Sequence, residues 1–314
     1  MGGAGQVGFG PLYRIDGPPP VAPLYGLLQT ASAPAQGVRI VPDTDERGIE
    51  RWMNGVEVYS YPPDAGSVWD TCSQVSPRPT KDFGGTLPLP QFGAFTAFLA
   101  ETCTSYRIWD QDAYKARAVT AFAAVESAIV AKEFMTGAVM TANPHLSDGT
   151  GTFPNGDTVT SFPDGVRLLE KAIAATGKLG LIHCSPQLLS AAAAKYGWNY
   201  WRDSANQCVR MISGTVIVPD SGYGAGSTPT GHVAPTGSQE WIYATGPVDV
   251  RRSEIFVNPE NVSQALDRGS GGATTGRSNS ITYRAERYYL IDWDTELHAA
   301  VLVDSCVDTC AHPT

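Results

Sequence analysis

The run from Asp110 to Gly137, DQDAYKARAVTAFAAVESAIVAKEFMTG, constrains the fold more than any other stretch of the chain. Ala118, Phe122, Val125 and Ile129 recur at helical spacing on one face, while Lys115, Arg117, Glu126, Lys132 and Glu133 supply a polar one. Asp110 is placed to accept from the free first-turn amides, and Gly137 can take the left-handed conformation that closes a helix without a Cβ penalty. The spacing predicts one helix over 111–136. At 1.5 Å per residue it is roughly 40 Å long, more than a small core requires, so it reads as a beam to which other parts attach.

The remainder must supply a core for that beam. With 314 residues and 42% hydrophobic content the chain is long enough for one large or two moderate domains. Its 33 glycines and 23 prolines imply many turns and long loops rather than a helical bundle. A formal net charge of −9 argues against a surface built to grip phosphate backbones. No apolar run approaches the ~20 residues that span a bilayer, and the N-terminus has neither the basic nor the apolar region of a secretory signal. The expectation is therefore no membrane partner and synthesis in a cytoplasm.

Residues 1–36 are rich in Gly, Pro and Ala, nearly uncharged and without periodicity, and read as an extended arm that either stays disordered or gains order by lying on neighbouring subunits. Gly3, Gly5 and Gly8 have dinucleotide-loop spacing, but no strand precedes them and no helix follows. Between Val38 and Tyr61, short β-like runs flank PDTDERGIERWMNG, where Asn54-Gly55 predicts a two-residue hairpin turn between Trp52 and Val56. The stretch 62–90 is loop-like and carries Trp69. After the long helix, Asp164 is the expected cap of a second helix closed by Gly177. LGLIHCS reads as a buried strand, Ser185-Pro186 as the start of a third helix, and VRMI and TVIV as strands around a Ser-Gly turn. EWIYATG, VDVRRSEIFV, ITYRAERYYLI and HAAVLVD complete a mixed sheet architecture.

Motifs for chemistry are mostly missing. No G-x-S-x-G elbow, H-E-x-x-H helix or phosphate-binding G-x-x-x-x-G-K-[ST] loop occurs. His183, Cys184 and Ser185 invite a nucleophile hypothesis, yet adjacent strand residues point to opposite faces, so both His183 and Cys184 are read as structural. Asp292, Asp294 and Glu296 read as a solvated turn between the last two strands. Cys306 and Cys310 lack the companion ligands of a zinc site. Catalytic, cofactor-binding and metal-binding residues are thus expected to be none. The candidates are for contact between subunits: Trp52, Trp69, Arg251, Arg252, Arg284 and Arg287, large aromatics on protruding segments and arginines on strand-like ones.

The order of these parts, with SPQLLSAAAAKYG, GTVIVPDSGY and the closing NSITYRAERYYLIDWDTELHAAVLVD, resembles major capsid proteins of tailed phages of the HK97 type, in particular those of phages of actinobacteria. The resemblance spans roughly Val38 to Asp304. It implies an α+β (mixed α/β) HK97-like fold with an N-terminal arm (1–37), an extended-loop region (38–91), a peripheral domain (92–170) with spine helix 111–136, an axial domain (171–280) and a return to the peripheral domain with a C-terminal tail (281–314). It further implies a non-enzymatic protein that assembles with itself as hexamers and pentamers into an icosahedral virion shell, built in a bacterial host cytoplasm. Double-stranded DNA would be enclosed without sequence-specific contacts. A separate scaffolding protein, a portal and a decoration protein are the other implied partners. The arm lacks a charged coiled coil, so cleavage by a maturation protease is not expected. The alternatives are an encapsulin-like shell, another phage structural protein such as a decoration or tail component, and, more distantly, an extracellular hydrolase or sugar-binding protein.

Overall fold

The computed structural model describes residues 20–31, 37–41, 51–59, 89–103, 111–196, 201–203, 208–211, 213–224, 228–258 and 281–305. In chain order these form α1 (Leu27–Ala31), β1 (Val38–Ile40), a 3-10 turn (Arg51–Asn54), β2 (Val56–Glu57), β3 (Gln91–Phe92), β4 (Phe95–Cys103) and α2 (Gln111–Thr136). There follow β5 (Thr160–Ser161), α3 (Phe162–Thr176), β6 (Leu181–Cys184), α4 (Pro186–Tyr196), β7 (Trp201–Asp203), β8 (Cys208–Arg210) and β9 (Val216–Pro219). The chain closes with β10 (Gln239–Thr245), β11 (Val248–Arg252), β12 (Phe256–Asn258), β13 (Ile281–Trp293) and β14 (His298–Asp304).

Two sheets divide these strands. A five-stranded sheet is built on β13, which takes β4 along one edge and β11 then β12 along the other, with β1 parallel outside β11. Between the pairs Arg252↔Tyr289 and Phe256↔Glu286, Ser253, Glu254 and Ile255 face only Arg287 and Tyr288. That one-residue bulge lets a single long strand serve two shorter ones, and Ser253 holds it with backbone and hydroxyl contacts to Tyr288. A seven-stranded sheet runs β5-β14-β10-β6-β9-β8-β7. Its central strands are buried along their whole length because both faces are covered. Val166, Leu169 and Ile173 of α3 and Leu188 and Ala192 of α4 pack with Ile182, Ile217, Ile242 and Val301. Leu181, Val216, Trp241, Tyr243 and Leu302 instead join the cluster that includes Phe122, Val130 and Phe134 of α2.

The spine helix has the expected bounds, and Gly137 closes it at φ 55° with its amide on Glu133 O. Its faces differ from expectation. Ala118 and Phe122 are buried, but Val125 is 38% exposed, and Glu126 and Glu133, assigned to the wet face, are buried. The C-terminal half runs between two layers, so it is covered on more than one side. Glu133 turns back to accept from Val139 N and Met140 N at 2.8–3.1 Å, satisfying amides beyond the helix end.

Other boundaries also moved for physical reasons. α3 starts ahead of Asp164: Ser161 is the cap, accepting from Asp164 N at 3.3 Å, while Asp164 takes the Ser161 hydroxyl at 2.8 Å and Pro163 occupies the first turn. Gly177 ends it at φ 64°, as expected. Asn54-Gly55 does not turn a hairpin. Gly55, at φ 96°, ends the 3-10 turn, and β2 pairs with β3 far along the chain. The position 170/171 falls inside α3, and within 281–314 β13 pairs with β4 while β14 pairs with β10 of the seven-stranded sheet. The β13–β14 connection carries the chain from one sheet to the other, a change that strand periodicity does not encode. Arms 1–19 and the stretch with Trp69 lie outside the described residues.

Packing between α3 and β14 leaves no spare volume at Gly165, where an added Cβ would stand 2.3 Å from Val303 Cγ1. Gly165→Ala is expected to destabilise the subunit by about 1–3 kcal/mol in urea unfolding, and Gly156→Ala, with open space around it but a left-handed backbone, by about 1 kcal/mol.

Candidate assembly surface

The β4–β13 register sorts side chains onto two faces. Phe95, Ala97, Ala285, Arg287 and Tyr289 lie toward α2, while Thr96, Phe98, Ala100, Thr282, Arg284, Glu286 and Tyr288 lie on the other face. The inner face is closed by a buried polar contact. Arg287 Nη1 donates to Glu126 Oε1 at 2.6 Å, and the Tyr289 hydroxyl donates to the same oxygen. Burial and the Glu126 charge push the Tyr289 hydroxyl well above its ordinary range, so it stays a donor. The outer face is open. Phe98 is 53% exposed, with the Arg284 guanidinium 5.7 Å from its ring centre, and the Phe256 and Tyr288 rings meet at 5.0 Å, tilted by 47°. Farther along, Arg39 pairs with Asp249 and Arg251 with Asp292.

This arrangement separates the six candidate contact residues. Trp52 is 7% exposed and packs in its own core. Arg251 and Arg287 each pair with a carboxylate of the same chain. Each of these three side chains has partners within its own chain. Arg284 is exposed and Arg252 half-buried. Trp69 lies outside the described residues. Asp292 is buried within β13 rather than part of the expected solvated turn, while Asp294 accepts from Lys178 Nζ at 2.6 Å.

Two features were missed in the sequence. Asp220, 1% exposed, gathers Leu27 N at 2.8 Å and the Ser127 hydroxyl at 2.7 Å on one oxygen and Gly222 N at 2.9 Å on the other. It thus fastens α1 and α2 to the end of β9. Burial raises its pKa, opposed by these three donors. Gly26 at φ 136° leaves no room for a side chain there, its Cβ position lying 2.7 Å from Asp220 Oδ2. Beside this junction, a cleft of about 750 Å³ runs along α2, lined by Val125, Ile129 and Lys132 on one wall and by Ser185, Gly222 and Glu240 on the other.

The residues singled out for chemistry are held in buried structural contacts. His183 contacts Thr245 Oγ1 at 2.8 Å and the Tyr223 hydroxyl at 3.2 Å, with Phe134 edge-on, whereas Cys184 packs on the opposite side with α3 and α4. Burial, then the Glu240 charge, raises the Cys184 thiol well above its ordinary value, which disfavours the thiolate. Glu240 itself accepts from Ser185 N at 2.7 Å and the Ser185 hydroxyl at 2.6 Å, a built-in anion at the start of α4. Among the described residues no three His, Cys, Asp or Glu side chains stand together to hold a metal, and no helix is long and apolar enough to cross a membrane.

No protein-family model and no curated protein sequence matches the chain. Its fold does match solved structures. A chain from Mycobacterium phage Ogopogo aligns over 93% of this chain and 96% of its own at 11% identity and a TM-score of 0.51. The capsid of a native GTA particle, computed with C5 symmetry, aligns over 95% of each chain at 12% identity and a TM-score of 0.50. The chain therefore has an HK97-like capsid fold, with mixed helices and sheets, over nearly its whole length.

Glu126→Ala leaves Arg287 buried without its acid and is expected to cost about 3 kcal/mol in urea unfolding; the double variant with Arg287→Met recovers part of that loss. Burial, then nearby His298, lowers the His183 pKa to about 3. The unfolded chain then binds a proton the folded one does not between pH ~6.5 and ~3, so stability is lost as pH is lowered through that window, by up to ~1.4 kcal/mol per unit. In His183→Gln that part of the slope is expected to vanish.

Proposed function

We propose that this chain is the shell subunit of a tailed-phage-like particle, assembling as hexamers and pentamers into an icosahedral head around double-stranded DNA. The observation that carries the reading is the alignment over 95% of the chain with the capsid of a native GTA particle. The physical features agree with it. The inner face of the β13 sheet is closed by the Arg287–Glu126–Tyr289 contact, whereas the outer face presents the exposed Phe98 and Arg284 beside the half-buried Tyr288 and Phe256. Val21, Leu24 and Tyr59 are 85%, 58% and 75% exposed, apolar surface that a repeating neighbour would bury. Many modest interfaces, closed by symmetry, then sum to a strong container.

In this reading the protein has no catalytic role, works in the virion and is assembled in the host cytoplasm. A separate scaffolding protein, portal and decoration protein complete the head, and enclosed DNA is not read by sequence. Trp52, Trp69, Arg251, Arg252, Arg284 and Arg287 are the contact candidates, and the exposed Arg284 is the one with the freest side chain among the described residues.

Sedimentation of the protein expressed with its neighbouring genes tests the proposal. Megadalton closed particles carrying nuclease-protected DNA are expected. A monodisperse monomer contradicts it, and closed particles that enclose a cellular protein instead of DNA convert it to an encapsulin-like shell. Arg284→Ala is expected to change subunit stability by less than ~1 kcal/mol yet to lower particle yield, since an exposed arginine contributes little inside one chain.

A further inference from the structure

Between α2 and β5 the chain crosses β14 as a strap, residues 148–152, and His298 is the residue on which it closes. The His298 carbonyl accepts from Thr152 N at 2.8 Å and from the Thr152 hydroxyl at 3.2 Å, while Ala300 N donates to Thr152 O at 2.9 Å. Gly151 passes close over the His298 ring, since an added Cβ would stand 3.1 Å from Cγ. With Trp293 edge-on at 5.1 Å, His298 is only 7% exposed. Both ends of the strap are pinned. Leu146 N and Ser147 N donate to Phe134 O and Met135 O at the end of α2. On the far side, Asp157 holds His232 Nδ1 at 2.7 Å and Phe153 stacks on that ring at 3.7 Å, contacts that stand whatever the charge of the ring. The strap also covers an edge, because β5 pairs with β14 only at Val303 and Asp304 and Thr152 supplies the bridge to Ala299.

The His298 ring is closed in without an acid in contact. Its Nε2 meets Leu146 O at 2.9 Å, and a carbonyl only accepts, so Nε2 carries a hydrogen and a second proton has to sit on Nδ1. That atom lies 3.5 Å from the Thr150 hydroxyl oxygen and 3.8 Å from Asp148 Oδ1, beyond hydrogen-bond reach of the carboxylate. Asp148 is engaged within the strap, accepting from the Thr150 hydroxyl at 2.6 Å and Thr150 N at 2.8 Å. The other titratable groups around this point are His145 ahead of the strap and His183 on β6, which add like charge when protonated, and Tyr243 on β10, which faces Asp148. Burial, opposed by Asp148 and by the Leu146 carbonyl, lowers the His298 pKa. The closed strap thus holds the proton less tightly than the open one, in which Nδ1 meets water and the ring returns toward ~6.5, so acid favours opening. We infer that the strap is a proton-sensitive latch: when His298 takes its second proton, residues 148–152 lift between their two pinned ends and uncover the β14 edge at His298–Ala300. The latch belongs to a single copy and does not depend on the shell reading.

Hydrogen exchange of the full-length protein by NMR tests it, with protection factors corrected for intrinsic rates between pH ~7 and ~5. Protection of the Thr152 and Ala300 amides is expected to fall by up to about tenfold per pH unit below pH ~6.5, in step with titration of the His298 ring resonances. Leu146, Ser147 and the β9 amides of Ile217 and Val218 are expected to keep theirs. His298→Gln retains a donor for Leu146 O but cannot take the charge, so its Thr152 protection is expected to stay flat. Asp148→Asn is expected to keep the acid opening. Thr152 protection that is constant or rises in acid overturns the inference. So does a fall shared equally by β9, one that survives His298→Gln, or one that vanishes in Asp148→Asn, which assigns it to the carboxylate. If His298→Gln does not fold, seen as lost β9 protection, the wild-type ring titration decides: a fall at Thr152 out of step with it overturns the latch.

Discussion

Everything in this fold depends on burying the second half of α2 between layers. A helix covered on one side needs one apolar stripe, but this one meets the β13 sheet, the seven-stranded sheet and α1, and its acids cannot all reach water. Each is matched instead. Glu126 is held by Arg287 and Tyr289, Glu133 by two backbone amides, and Ser127 donates to Asp220. A buried carboxylate is tolerated only when donors replace its water, and each set of donors here comes from a different part of the chain. The polar groups thus fix the orientation of the helix relative to the rest, while Phe122, Val130 and Phe134 supply the apolar contact. Breaking one partner leaves the other charged group stranded, which explains why the cost falls on specific residues rather than on the helix at large.

Local signals in the sequence were accurate where a single element decides the outcome. The bounds of α2, the left-handed Gly137 and Gly177, the Ser185 cap and the strand LIHC needed only short-range rules, and each is seen. Features that depend on a distant partner were not legible. Periodicity treats a helix as having one wet side, so Glu126 and Glu133 were placed in water. Asn54-Gly55 has hairpin chemistry, but β2 found β3 across a long excursion, which no turn rule anticipates. Asp292 was read as solvated because β13 is longer than its apolar pattern, and the Arg251 partnership that buries it is visible only once β11 is in register.

The candidate surface was half legible for the same reason. Strand alternation states that Arg284 and Arg287 point to opposite faces, but not which face a helix covers. The structure supplies that answer through Glu126, turning Arg287 inward and leaving Arg284 beside Phe98. The cleft and the Asp220 junction were invisible, since they bring together residues separated by as many as 193 positions. At 11–12% identity, what this chain shares with the matched structures is the path of its backbone. Function therefore has to be sought in surfaces left open by a single copy.

Electron cryomicroscopy of the purified particle addresses that question directly. Closed icosahedral shells whose capsomers each contain this chain, with the open face of the β13 sheet covered by neighbouring copies, are the predicted result. A dispersed monomer, or a shell in which that face remains bare to solvent, would contradict it.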